Sequence, residues 1–253
     1  MNITFLGTGT SQGVPVICCN CNVCSSLDYR DKRLRSSLHL DINGQSIVID
    51  TGPDFRTQML RAPITQLDAV VYTHEHKDHT AGLDDIRPFN FKQQMDIPLF
   101  ATAQVLDQIK KEFSYIFAPT KYPGVPKVIL NEITNTPFHI KGIQFNPIQV
   151  MHHKLPVLGY RIGDFTYITD ANYVSPVEIK KIKGSKILVI NALQIKPHIS
   201  HFTLAEALEF IKHVAPEKAY LTHISHQMGT HREVSLSLPP NVEIAFDGMK
   251  LHL

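Results

Sequence analysis

Residues 67 to 79 read Leu67-Asp-Ala-Val-Val-Tyr-Thr73 and then, without a break, His74-Glu-His-Lys-Asp-His79. The first part is a short apolar, β-branched run of the kind that forms a buried strand. The hexapeptide stands at its carboxyl end. Three imidazoles and two carboxylates in six residues are costly to gather at the edge of a core unless a positive charge draws them together, and a divalent ion supplies one. In a loop after a strand, His74 and His76 can turn toward one ion while Asp78 and His79 turn toward another. A mixed imidazole and carboxylate set suits zinc, manganese or iron. Six residues cannot fill two coordination shells, so further ligands must come from elsewhere in the chain.

The same arrangement, an apolar run closed by a polar residue, recurs downstream. Ile148-Gln-Val-Met precedes His152, Phe165-Thr-Tyr-Ile-Thr precedes Asp170, Ile187-Leu-Val-Ile precedes Asn191, and Lys218-Ala-Tyr-Leu-Thr precedes His223. Short strands with chemistry at their carboxyl ends, interleaved with helical segments, predict an α/β layered protein with its site at the strand ends. Helices are expected over 103–117, where Val105, Leu106, Ile109, Phe113 and Ile116 share a face, and over 203–214. The second opens on a Thr203-x-x-Glu206 capping box and is followed by Pro216. Asn43-Gly44, between Ser37-Leu-His-Leu-Asp-Ile and Gln45-Ser-Ile-Val-Ile-Asp50, predicts a hairpin. The turn-rich Lys121-Tyr-Pro-Gly-Val-Pro-Lys127 does not divide the chain, so one domain over 1–253 is expected.

A formal charge of +2 with scattered Lys and Arg argues against a general nucleic-acid binder and leaves room for a small anionic substrate. No run approaches the roughly 18 apolar residues of a membrane span, and the first residues read as a strand rather than a secretion signal. A cytoplasmic protein with no membrane partner is expected, and the sequence permits a homodimer. The four cysteines, Cys18, Cys19, Cys21 and Cys24, lie within seven residues. Such crowding argues for a metal knuckle or free thiols rather than a disulfide framework.

His74-x-His-x-Asp-His79, followed by a lone His, a strand-terminal Asp and a strand-terminal His, resembles the metallo-β-lactamase superfamily. That resemblance implies a four-layer αββα sandwich. It implies His74, His76 and His152 on one ion, Asp78, His79 and His223 on a second, and Asp170 with a hydroxide between them. His153 competes with His152 for the lone position. A carboxylate at 170, where the lactamases proper commonly place a thiolate, points to two-metal phosphodiesterases and some thioesterases.

Leu6-Gly-Thr-Gly-Thr-Ser-Gln-Gly13, Cys19-x-Cys-x-x-Cys24, Gly82-Leu-Asp-Asp-Ile-Arg-Pro88, Leu221-Thr-His-Ile-Ser-His226 and Phe246-Asp-Gly-Met look like one branch of that superfamily. The branch includes the phosphoribosyl 1,2-cyclic phosphate phosphodiesterase of carbon-phosphorus lyase metabolism. By this resemblance Cys19, Cys21, Cys24 and His226 form a closed structural zinc site that braces the pocket rim. Cys18 departs from the usual Gly and competes with Cys19. The resemblance also makes His201 a general acid for the leaving group, alongside Asp78 in the catalytic apparatus. The expected activity is hydrolysis of a small cyclic phosphodiester with two active-site zinc or manganese ions. The alternatives are a transfer-RNA 3′ processing nuclease, normally equipped with a protruding RNA arm, and a metal-binding protein without turnover.

Three further stretches bear on the site. Gly7-Thr-Gly-Thr-Ser-Gln-Gly13 invites a phosphate-loop reading but lacks the Gly-Lys-[Ser/Thr] ending and is expected to be a tight loop. Asp50-Thr-Gly52 reads as support for the metal histidines or as a plain turn. Asp84 or Asp85 is a candidate to orient a histidine, and Arg87 to meet an anionic substrate or pair with an Asp.

Overall fold

The computed structural model describes residues 1–253. Its strands, in chain order, are β1 (Asn2–Gly7), β2 (Ser37–Ile42), β3 (Gln45–Ile49), β4 (Ala69–Val71), β5 (Ile97–Ala101), β6 (Val128–Glu132), β7 (Phe138–Ile140), β8 (Ile143–His152), β9 (Leu155–Ile162), β10 (Phe165–Ile168), β11 (Tyr173–Val174), β12 (Ile187–Asn191), β13 (Lys218–Thr222), β14 (Val242–Ile244) and β15 (Lys250–His252). They form two mixed sheets, β15-β1-β2-β3-β4-β5-β6 and β11-β8-β9-β10-β12-β13-β14, with β7 beside β8.

The period-two alternation of the strands sorts their side chains between layers. Phe5, Leu40, Ile49 and Val71 from the first sheet meet Phe145, Tyr160, Phe165, Tyr167 and Val189 from the second. The opposite face of the first sheet, with Val48, Val70 and Leu99, packs on Phe55, Met59, Phe89, Val105, Leu106 and Ile109, carried by helices 55–61, 87–93 and 103–112. The outer face of the second sheet, with Ile148, Leu188, Ile190 and Leu221, is covered by Ile182, Ala207 and Ile211 from helices 176–182 and 204–214. The result is a four-layer αββα sandwich. No helix is long and apolar enough to cross a membrane.

The hairpin forms where Asn43-Gly44 marks it. Ile42 pairs with Gln45, and both loop residues take positive φ, 52° and 76°, as a primed two-residue turn requires. The capping box also forms: Thr203 accepts from the Glu206 N–H, and the Glu206 side chain accepts from the Thr203 N–H. The first expected helix stops early. Helix 103–112 is separated from a one-turn helix, Ser114–Phe117, by Phe113 at φ −110°, ψ 41°. Phe113 and Ile116 are both buried, as their place on the apolar face requires.

Candidate metal centre

Parallel strands β3 and β4 of the first sheet and β10, β12 and β13 of the second end along one edge of the sandwich. Asp50, His74, Asp170, Asn191 and His223 stand at or just beyond those ends. Three of them, Asp50 (φ 64°), Asp170 (φ 56°) and His223 (φ 56°), adopt the left-handed backbone region that non-glycine residues rarely occupy. All three are buried.

Two sets of ligand-type atoms converge there. His74, His76 and His152 form one, and Asp78, His79, Asp170 and His223 the other, each set lying within 4.8 Å. His74 Nε2 is 3.0 Å from His76 Nδ1. His79 Nε2 lies 3.2 Å from Asp78 Oδ2 and 3.3 Å from Asp170 Oδ2, while His223 Nε2 lies 3.2 Å from Asp170 Oδ1. Asp170 also groups with His152 and His201, so its carboxylate stands between the two sets. His153 is exposed, with its backbone in the left-handed region, and lies outside both sets.

The residues fit divalent ions on a test internal to the protein. His79 Nε2 is buried and makes no hydrogen bond, despite two carboxylate oxygens within 3.3 Å. That nitrogen and those oxygens are brought together without being bonded to one another, as ligands of one cation would be. Three far ring nitrogens are also partnered in the way metal-binding imidazoles require. His79 Nδ1 is 2.7 Å from Asp50 Oδ2, His74 Nδ1 is 3.0 Å from Thr73 Oγ1, and His152 Nδ1 is 2.9 Å from the Ser200 carbonyl. Asp50 in turn accepts from both the N–H and the hydroxyl of Thr73.

Burial pushes His74 well below its usual value, lowers His152, and takes His223 down to about 4, so these rings stay neutral and able to ligate. Burial alone would raise Asp78 and Asp170. The His79 ring pulls Asp78 below the usual carboxylate range, and the surrounding imidazoles, His79 and His201 among them, hold Asp170 low as well. Asp78, Asp170 and Asp50 hold His79 high against its burial, and a divalent ion bound at Nε2 would displace that ring's proton there.

The segment carrying Asp78 and His79 is seated by close backbone contact. Gly52 packs so tightly under it that a Cβ there would stand 2.1 Å from the Asp78 carbonyl. Asn191 clamps the residue after Asp170, accepting from the Ala171 N–H and donating to the Ala171 carbonyl.

Cys19, Cys21 and Cys24 place their sulfurs 3.2, 3.4 and 3.6 Å from His226 Nδ1. The S···N edge of a tetrahedral zinc site is about 3.5 Å for the usual bond lengths, so the four atoms surround a volume of the right size. The Cys24 N–H and His226 draw the Cys21 thiol down to about 6, whereas burial pushes Cys24 up to about 11. Cys18 is exposed, outside the set, and at φ 63°. That conformation favours glycine.

His201 lies with its Nε2 3.1 Å from Asp170 Oδ1 and its ring stacked 5.0 Å from His223. Its Nδ1 meets Ser200 Oγ at 3.0 Å and His198 Nδ1 at 3.1 Å. His198 carries no signal in the sequence beyond being one more histidine. Arg87 pairs with Asp84 at 2.7 Å. The orienting role considered for Asp84 or Asp85 belongs by contact to Asp50 and Thr73.

A family model described as the beta-lactamase superfamily domain matches residues 45–224. A solved structure described as a new diphosphatase from the PhnP family is 38% identical, superposes with a TM-score of 0.93, and is matched over 97% of its length by all of this chain. Octanoyltransferase of Porphyromonas gingivalis is 40% identical over 253 residues, 99% of this chain and 51% of that protein. Ribonuclease Z of Nanoarchaeum equitans is 25% identical over 179 residues, 65% of this chain and 55% of that protein. The chain thus spans about half the length of these curated relatives.

Proposed function

We propose that this chain, which belongs to the beta-lactamase superfamily of metal-dependent hydrolases, is a phosphodiesterase acting on a small cyclic phosphate ester of the phosphoribosyl 1,2-cyclic phosphate type. The observation that carries the reading is the Asp170 carboxylate, set between His79 and His223 on one side and within reach of His152 and His201 on the other. A diphosphatase and a ribonuclease among its relatives support phosphorus-oxygen chemistry. The octanoyltransferase name belongs to a protein of which this chain matches about half.

His74, His76 and His152 would hold one divalent ion, and Asp78, His79 and His223 a second, with Asp170 shared between them. Zinc and manganese both accept such a set. Bound ions would supply an activated water near neutral pH and offset the charge of a phosphate. Water adds across one ester bond: its oxygen goes to phosphorus, and the departing ring oxygen takes a proton from His201 Nε2. The solvent water that is consumed makes that proton good. On the far side of the ring, the contact of His201 Nδ1 with Ser200 Oγ orients it for the transfer. Cys19, Cys21, Cys24 and His226 would hold a separate structural zinc, and four free thiols suit a reducing, cytoplasmic setting.

The test is a panel of bis(p-nitrophenyl) phosphate, 2′,3′-cyclic nucleotides, phosphoribosyl 1,2-cyclic phosphate and a transfer-RNA precursor, given to zinc- and manganese-loaded protein. Turnover of the cyclic esters is expected. Cleavage of the RNA alone would replace this reading with a nuclease, and hydrolysis of nothing would leave a metal-binding protein without turnover.

A further inference from the structure

His223 is the buried imidazole of the second set whose far side has yet to be placed. Its Nδ1 lies 3.1 Å from Ser36 Oγ, and the Ser36 hydroxyl donates to the Gly9 carbonyl at 3.0 Å. Ser36, Gly9 and His223 are all buried. A hydroxyl has one proton and two lone pairs. Given to the Gly9 carbonyl, that proton satisfies a buried acceptor and leaves only lone pairs facing the imidazole. The proton of the neutral His223 ring must then sit on Nδ1. Nε2, the atom 3.2 Å from Asp170, keeps its lone pair. The reverse arrangement would put the proton on Nε2 and leave the buried Gly9 carbonyl with only the Ser36 N–H of the parallel bridge beside it.

The Gly9 carbonyl is itself fixed. Thr8 donates through its N–H and its hydroxyl to Asp247 Oδ1, at 2.9 and 2.8 Å. On either side of Gly9, the Ile224 N–H donates to the Thr8 carbonyl and the Thr10 N–H to the Ile224 carbonyl. A Cβ on Gly9 would come within 2.9 Å of the Arg33 carbonyl and of Arg33 Cβ, so glycine is needed for this approach. The glycine-rich stretch that resembles a phosphate loop thus has another use: it brings one carbonyl to Ser36.

We propose that Ser36 is the positioning residue of the second metal set, holding His223 in the tautomer and orientation that ligation needs. This rests on the two-metal reading above. Loss of such an outer partner typically weakens an ion 10- to 100-fold. The weakening here should be confined to the set that contains His223.

The experiment compares wild type, Ser36→Ala and Ser185→Ala by zinc content and by competition with a chelator. Ser185 is a buried serine whose hydroxyl donates to the Ile182 carbonyl and lies outside every ligand set. Wild type should retain three zinc ions, and Ser36→Ala should release one of them at 10- to 100-fold lower chelator. Ser185→Ala should match wild type. Unchanged affinities in Ser36→Ala overturn this proposal alone, whereas a wild type that holds no pair of ions outside the cysteine knuckle overturns the two-metal reading as well. Should Ser36→Ala not fold, the zinc-loaded wild type decides by nitrogen-15 NMR. A slowly exchanging His223 Nδ1 proton is expected, and rapid exchange at that position rejects the hydrogen bond to Ser36.

Discussion

Exchanging Asp50 for Asn changes almost no volume and inverts two hydrogen bonds beneath the proposed metal centre, from the Thr73 hydroxyl and from His79. Asp50 is fully buried. Oδ1 accepts the Thr73 N–H at 2.8 Å, and Oδ2 takes both the Thr73 hydroxyl at 2.8 Å and His79 Nδ1 at 2.7 Å. In Asp50→Asn the oxygen must stay opposite the Thr73 N–H, because an amide NH2 there would set donor against donor. The NH2 therefore falls at the Oδ2 position and faces His79 Nδ1. The imidazole can accept from it only by moving its own proton to Nε2, the atom aimed at Asp78 and Asp170. Binding a cation must then reverse that tautomer without the carboxylate that favoured it. A hydrogen bond to a charged group contributes about 1.5–3 kcal/mol, so a loss near 2 kcal/mol is expected, or roughly 30-fold in affinity. Zinc competition against a chelator measures it, with near-ultraviolet circular dichroism as the control for an intact core. An affinity within threefold of wild type would refute the assigned tautomer of His79.

Three further outcomes are expected. Cys21→Ser should lower zinc content by one ion per chain and lower the thermal midpoint, because a Cys3His site is closed and contributes to folding directly; metal analysis beside calorimetry tests this, and an unchanged ion count rejects the knuckle. His201→Ala should cut turnover of a cyclic ester by about 10²- to 10⁴-fold, the usual worth of a positioned acid, while metal content stays the same; equal activity removes the proposed proton donor. His231 is buried against Arg33, and burial takes it down to about 4 from an ordinary 6.5. Between those values the unfolded chain binds a proton that the folded chain does not, so stability falls as pH is lowered from 6.5 and levels off below about 4, by up to roughly 3 kcal/mol. Urea denaturation of wild type against His231→Gln across that range should show a flatter slope in the variant, and parallel slopes would contradict the assignment.

What could be read in advance is what local chemistry decides. Asn43-Gly44 specifies a primed turn by the backbone those residues tolerate, and Thr203 with Glu206 specifies a helix start within four residues. His74 to His79, His152, Asp170 and His223 stand out because imidazoles and carboxylates are conspicuous at the ends of apolar runs. Their supports are not conspicuous. Thr73, Ser36 and the Ser200 carbonyl act through one oxygen each, and only tertiary contact distinguishes them from the other hydroxyls and carbonyls of the chain. The break at Phe113 was hidden because the apolar spacing continues correctly across it, through Phe113 to Ile116.

The three strained strand ends share a device that turns backbone cost into placement. A left-handed conformation costs a non-glycine residue about 1–2 kcal/mol, and it persists where the surroundings over-determine it. After each strained residue, the next one has both its N–H and its carbonyl tied to a segment outside its own strand. Thr51, after Asp50, donates to the His79 carbonyl and accepts from Gly82. Ala171, after Asp170, is held at both groups by Asn191. Ile224, after His223, donates to Thr8 and accepts from Thr10. Each pair of bonds stops the strand from running on in β conformation and turns the preceding side chain toward the shared edge. The first clamp comes from the short helix Lys77–Thr80 that closes the hexapeptide and from Gly82 just beyond it, the second from the neighbouring strand β12, and the third from the amino-terminal loop. Because three separate segments hold three residues, a fault in one clamp should misplace one ligand or its support and leave the others seated, as the selective loss expected of Ser36→Ala requires.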